Sequence, residues 1–273
     1  MPKKKSFKWL IVLIVVVLFV SIPLTIVLVT KSITSAKYYY FGCYPQTLKA
    51  EDVQITSQID SRGYYIGSDA EYYAKVNDKY YKVEPIKWRI LKKNEGKALL
   101  LSEFIIDDMQ FSTYSNNYEN SSVRHWLNET FYDYSFSSTE KERIILTAVD
   151  NSVQSTIPAQ SHGTDYDTDN PNTCPNTYDK VFLLSKYEVS LGKYGFTFAG
   201  EHDENREKNA TDYAIARSGI DLNKYSYSNY WMLRSPDSRS NNYIQGVDDG
   251  YASLSCEAHT PLGIVPAIWI KMN

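Results

Sequence analysis

The chain has 273 residues, 43% of them hydrophobic, with 29 basic and 32 acidic side chains and a net charge of −3. That balance excludes a strongly basic nucleic-acid-binding surface, and three cysteines are too few for a disulfide-built scaffold. The length allows one large domain, or two small ones, with a core of its own.

Lys3, Lys4, Lys5 and Lys8 come first and are followed by an uncharged apolar run from Trp9 to Thr30. About 20 apolar residues suffice for a helix to cross a bilayer, and the leading lysines predict a cytoplasmic N-terminus. The reading is a cytoplasmic tail over 1–8, a transmembrane helix over 9–30, a polar tether over 31–37 and an extracytoplasmic domain over 38–273. It makes the chain a single-pass protein of the cell membrane, with its C-terminal domain outside. The rival reading is a cleavable signal peptide ending at Thr34-Ser35-Ala36, although such apolar regions are shorter, about 7–15 residues. Residues 1–37 hold six of the 29 basic side chains and no acidic one, so the expected domain carries 23 basic against 32 acidic side chains. A net of −9 suits cations, neutral sugars or basic partners and disfavours nucleic acid and anionic lipid.

From Tyr38 the pattern turns to strands. Ala70 to Val76 and Tyr80 to Val83 flank Asn77-Asp78, and Ile86 to Leu91 and Ala98 to Leu101 flank Asn94-Glu95-Gly96; both read as hairpins. Val123, Trp126, Leu127 and Phe131 fall at helical spacing behind Ser121-Ser122. Ser137 to Glu140 and Ser185 to Glu188 read as capping boxes opening short helices, the first running through Ile144 and Ile145. Thr211 caps a helix over Tyr213 to Arg217. Strands return at Val181 to Leu184 and, near the C-terminus, at Tyr230 to Arg234, Tyr251 to Cys256 and Ile264 to Ile270. Residues 150–179 are polar and turn-rich and read as one long loop. Strands, then helices, then strands, without βαβ alternation, predict an α+β fold. The 24 tyrosines suit half-buried strand faces.

A family resemblance runs along these elements. Phe41-Gly42-Cys43-Tyr44-Pro45-Gln46 resembles the FGSYPQ opening of a bacterial extracytoplasmic domain of unknown function. Glu84 to Leu91 resembles its EPIxWRxL strand, Gly96 to Ser102 its GKALLLS strand, and Arg124 to Asn128 with Phe131 its RxWLNxxF helix. Asp179 to Ser185 resembles DKVFLLS, Thr211 to Ala214 a TDYA helix start, Trp231 to Pro236 WWLRSP, and Gly263 to Ile270 GVRPALWI. The resemblance covers nearly all of residues 38–273. It implies a distant relation to C-type-lectin-like and formylglycine-generating-enzyme domains: a mixed or antiparallel sheet with short flanking helices, long loops, and first and last strands side by side. It implies no function, since the family is defined without one. Cys43, Met232, Asp237 and Val265 depart from the family pattern. Trp88, Trp126, Trp231, Trp269 and Arg234 read as core and scaffold residues, the arginine seeking an internal carboxylate.

No motif frames a catalytic group around His125, His162, His202 or His259. A formylglycine-generating-type copper site needs converging thiolates, and Cys174 and Cys256 carry no such local motif. Calcium is the one metal with any sequence support: Asp165, Asp167 and Asp169 alternate as in a calcium loop. Asn170 stands at the glycine position, however, and Asn176 at the position of the bidentate glutamate. A solvated acidic loop without a cofactor is the expected reading. Asp248-Asp249-Gly250 reads as a turn. A Cys174–Cys256 disulfide with Cys43 free is expected outside the cytoplasm, and Cys43–Cys256 is the competing pair.

The sequence therefore predicts a membrane-anchored, extracytoplasmic binding or adhesion module without catalytic activity. Its partners would be the membrane, through the N-terminal helix, and an extracellular glycan or protein. One alternative is an exported enzyme or protein-modifying factor, marked by His202, His259 or a cysteine clustered with carboxylates in a pocket. The other is a scaffold subunit of an envelope complex.

Overall fold

A computed structural model describes residues 37–159, 169–218 and 230–272. The described strands are β1 Tyr38–Leu48, β2 Ile55–Ile59, β3 Tyr65–Gly67, β4 Tyr72–Val76, β5 Lys79–Asn94, β6 Lys97–Ser102, β7 Asp107–Gln110 and β8 Thr147–Val149. They continue with β9 Thr177–Asp179, β10 Phe182–Leu183, β11 Trp231–Pro236, β12 Tyr243–Asp248, β13 Tyr251–Glu257, β14 Pro261–Ile264 and β15 Pro266–Lys271. The helices are α1 Ser122–Trp126, which runs on through a π turn at Leu127–Phe131 and a further turn at Tyr132–Ser135, then α2 Ser138–Lys141 and α3 Asp212–Ser218.

One eight-stranded sheet has the order β10-β15-β6-β5-β4-β3-β2, with β1 paired to β5; a five-stranded sheet has the order β13-β12-β11-β14-β7; β8 and β9 form a ribbon. A long antiparallel pair of chain segments belongs to both sheets. Leu101 faces Ala267 in the first sheet, and Asp107 faces Ile264 in the second. The chain changes sheet at Val265 on one side and between Ser102 and Asp107 on the other, and both crossings are buried: Val265 and Ile106 are fully enclosed. One hydrophobic cluster extends from Phe41 and Trp88 through Leu99, Leu100 and Leu101 to Trp231, Ile244 and Val247, so the two sheets share a core. The indole N–H groups of the two fully buried tryptophans are satisfied by backbone: Trp88 donates to Phe41 O at 2.7 Å and Trp231 to Arg206 O at 2.9 Å.

The hairpins stand where the sequence puts them, β4–β5 around Asn77-Asp78 and β5–β6 around Glu95-Gly96. Asn77, Glu95 and Gly96 have positive φ, as the tightest hairpin turns require. Ser121 caps α1 and Thr211 caps α3, accepting from Arg124 N and Ala214 N at 3.2 Å each. Asp249 and Gly250 also have positive φ, between β12 and β13.

The α+β, C-type-lectin-like expectation is corrected: the chain is mostly β-sheet, 42% strand and 16% helix. Both capping boxes form, but each opens a single turn, α2 in one case and a 3-10 turn at Glu188–Ser190 in the other. A cap satisfies free N–H groups without supplying the longer apolar stripe that carries a helix forward. Behind α2 the chain already runs extended, Ile145 N donating to Trp269 O at 2.8 Å. Nor are first and last strands neighbours, since β1 pairs β5 while β15 lies between β10 and β6. β2, β3, β7, β8, β9 and β12 lie outside the strands read from the sequence, β9 inside the stretch 150–179 read as a loop.

The single-pass membrane anchor is also corrected. Among the described residues no helix is long and apolar enough to cross a membrane, and the expected span, residues 9–30, lies outside them. The membrane partner and the cell-membrane localisation rested on that span and lose their support with it.

Candidate functional site

The ten residues from Asn209 to Ser218 build one wall of a pocket. Ile105 N donates to Asn209 O and Thr211 N to Ile105 O, both at 3.0 Å, holding the start of α3 against the strand crossing. Asp212 in the first turn and Arg217 in the last suit the helix dipole, and Asp212 Oδ2 accepts from Leu48 N at 2.9 Å. Ala214 is buried, while Ile215 and Ser218 face a cavity of about 360 Å³. The opposite walls come from β13, through Leu254 and Cys256, and from Pro261 to Gly263 of β14. Gly263 is obligatory there, because a Cβ would stand 2.6 Å from Ile105 Cγ2 and 2.7 Å from Tyr230 O. The walls are predominantly apolar, and the volume falls within the usual small-molecule range of about 300–1,000 Å³.

Asp108 is the only charged side chain among the described lining residues. Its neighbour Asp107 is buried and saturated: Tyr44 Oη donates to Oδ2 at 2.6 Å, while Arg217 Nε at 3.2 Å and Asp108 N at 2.8 Å donate to Oδ1. Asp108 Oδ1 is buried and has no hydrogen-bond partner among the described residues. Burial, and then the Asp107 charge, push the Asp108 carboxyl up to about 7, against the pull of Arg217. Burial also raises Asp107, with Arg217 and the Tyr44 bond opposing it. Burial, followed by the Glu257 charge, pushes the Cys256 thiol up to about 11. That thiol is therefore protonated at neutral pH and serves as apolar lining. Chemically the site can enclose an apolar body and offer it one carboxylate.

Of the candidate site residues singled out from sequence, Cys256 lines this pocket, and the others lie elsewhere or outside the described residues. Asp165 and Asp167 lie outside the described residues, as does His162. Asp169 is exposed. Asn170 and Asn172 are committed to tying their loop to the end of β11 and the turn after it, donating to Pro236 O at 3.1 Å and Asp237 O at 2.8 Å. No group of three or more metal-ligating His, Cys, Asp or Glu side chains converges among the described residues. His202 Nε2 lies 3.7 Å from Glu207 and His259 Nε2 3.2 Å from Glu257, each pair on the surface; neither histidine lines the pocket. Cys43, Cys174 and Cys256 are free, half-buried thiols instead of the expected Cys174–Cys256 bridge.

Arg234 has the internal carboxylate expected of it, Glu188, and also donates to Leu183 O at 2.6 Å. Trp88 and Trp231 are buried, and Trp126 and Trp269 pack against the same core. Asp107 and Asp108 were missed. Their signal is an acidic pair inside the otherwise apolar stretch Phe104 to Met109, where an alternating strand must bury at least one carboxylate.

The model of a domain of unknown function, DUF6273, matches residues 95–272, from the β5–β6 turn through β15 and including every residue that lines the pocket. No curated protein and no solved structure matches the chain significantly. With well over half of its length matched, the chain belongs to the DUF6273 family of domains of unknown function.

Proposed function

We propose that the protein is a binding module without catalytic activity, and that its ligand site is the pocket between α3, β7, β13 and β14. The observation that carries this reading is the combination of enclosing apolar walls with one buried, unpartnered carboxylate oxygen. Enclosed apolar pockets with a few placed polar groups are where small molecules bind. The chemistry of the walls favours binding over turnover, because the one thiol is held protonated and no described lining residue is a histidine. The ligand is a small amphipathic molecule, more compact than the glycan or protein first expected. Binding needs neither calcium nor another cofactor. The wider likeness to lectin-like and formylglycine-generating domains is no part of this reading, which rests on the pocket alone.

The test is calorimetric titration of the full-length protein with small amphipathic probes, octanol among them, with and without EDTA. Saturable binding to the protein, abolished in Ile215→Trp, supports the pocket as the site. Binding indifferent to Ile215→Trp, or no binding at all, sinks it, and loss of binding in EDTA sinks its independence of metal.

A further inference from the structure

We infer that the ligand of this pocket carries a protonated amine, which donates to Asp108 while its apolar body rests on Ile105, Leu254, Pro261 and Leu262. The inference depends on the pocket being the ligand site and adds the chemical class of what enters it. Three donors are spent on Asp107. Tyr44 Oη, Arg217 Nε and the Asp108 backbone N–H all bond it, at 2.6, 3.2 and 2.8 Å. Two adjacent carboxylates thus share a single guanidinium, and Asp108, which lines the pocket, has its enclosed Oδ1 without a partner among the described residues.

A neutral apolar guest would leave that oxygen desolvated, and an anion would be repelled by both carboxylates. An ammonium group restores the missing partner and the missing charge, and hydrogen bonds between ionised partners are about twice as strong as neutral ones. The other polar groups of the described lining, Ser218, Tyr230, Thr260 and Cys256, carry no charge. Ser218 Oγ already donates to Ile215 O at 2.8 Å, and Cys256 is a protonated thiol.

The sign of the pH dependence separates this ligand from a neutral one. The charged groups acting on Asp108 are Asp107 beside it and Arg217 from α3; Tyr213 from α3 and Tyr44 from β1 act on Asp107, and Cys256 from β13 shares the pocket. Tyr213, pushed up to about 12 by burial and then by the Asp107 charge, stays neutral, as do Tyr44 and Cys256. Burial raises both adjacent carboxyls, which titrate as a coupled pair, with Asp108 pushed up to about 7. An ammonium binds the ionised carboxylate, so its affinity falls as pH drops below about 7. A guest that accepts a hydrogen bond from the protonated acid behaves oppositely.

Octylamine and octanol, which differ only in the head group, test this on the full-length protein by calorimetry. Octylamine should bind about tenfold tighter than octanol or better, in keeping with a charge-assisted bond. The advantage should shrink from about pH 8 to about pH 5 and disappear in Asp108→Asn. Octanol binding by that variant shows that its pocket is intact, and Asp108→Glu serves as a second, charge-retaining control. Equal affinities, an advantage that survives Asp108→Asn, or one that grows as pH falls would each overturn the amine while leaving the pocket in place. If neither probe binds, the pocket reading itself fails and takes the amine with it.

Discussion

The hydroxyl of Tyr44 donates to Oδ2 of Asp107 at 2.6 Å, across 63 residues of chain. The bond joins β1, which is paired into the eight-stranded sheet, to β7 at the edge of the five-stranded one. It also supplies a donor to one of two adjacent carboxylates, while the other, Asp108, lines the pocket and has its buried Oδ1 without a partner among the described residues. Both residues are buried, and burial raises the Tyr44 hydroxyl well above its ordinary range, keeping it a donor.

Tyr44→Phe therefore leaves a buried carboxylate oxygen without its donor while preserving the ring contacts to Trp126, Phe131 and Tyr213. The expected loss of stability is about 1–3 kcal/mol, read from the midpoint of denaturant unfolding. A variant as stable as the parent would show that the bond does not hold the sheets together.

Asp108 gives stability a pH slope. Its folded pKa, about 7, lies above the ordinary 3.8 because burial penalises the charge. The native state then holds more protons than the unfolded chain between the two values. The stability it supports is complete below the lower value and is lost as pH rises through about 7. Asp108→Asn should remove this slope and be the more stable protein at about pH 8, by about 1–3 kcal/mol. Unfolding curves at several pH values check this; parallel pH profiles for variant and parent would contradict it.

Arg206 is fully buried and donates to Gly250 O at 2.8 Å, Val189 O at 3.0 Å, Thr197 O at 2.9 Å, Phe198 O at 3.0 Å and Glu201 O. A planar fork with five N–H groups can serve that ring of carbonyls, whereas an ammonium has three donors on one atom. Arg206→Lys should cost about 3–5 kcal/mol in unfolding free energy, and Arg206→Met as much or more. Near-wild-type stability of the lysine variant would refute the argument.

The thiols yield a simple count. Titration of unfolded, unreduced protein should find all three cysteines free. In the folded state Cys256 should alkylate most slowly, since burial and Glu257 hold its thiol up to about 11. A crosslinked Cys174–Cys256 peptide would restore the bridge expected from sequence.

The sequence by itself determined the elements whose causes are local. Glu95-Gly96 and Asn77-Asp78 fold as turns, with Asn77, Glu95 and Gly96 at positive φ between the strands. Ser121 and Thr211 begin helices because their hydroxyls accept the first free N–H groups. The apolar run Ala98 to Leu101 is a central strand because both of its faces must be covered. It also determined that Trp88, Trp231 and Arg234 are scaffold, since large aromatics and paired arginines need an interior.

Only the tertiary structure decided the rest. Whether the capping boxes at Ser137 and Ser185 open helices or single turns depends on what packs behind them, and there the chain is already held by distant strands. The pocket has no local cause at all. Its walls come from Ile105 and Asp108, from Ala210 to Ser218, and from Tyr230 and Leu254 to Gly263. Asp107 and Asp108 are adjacent and chemically identical, yet one is saturated by Tyr44 and Arg217 while the other keeps a bare oxygen. Strand alternation sends them to different surroundings, and which surroundings those are is settled by residues far along the chain.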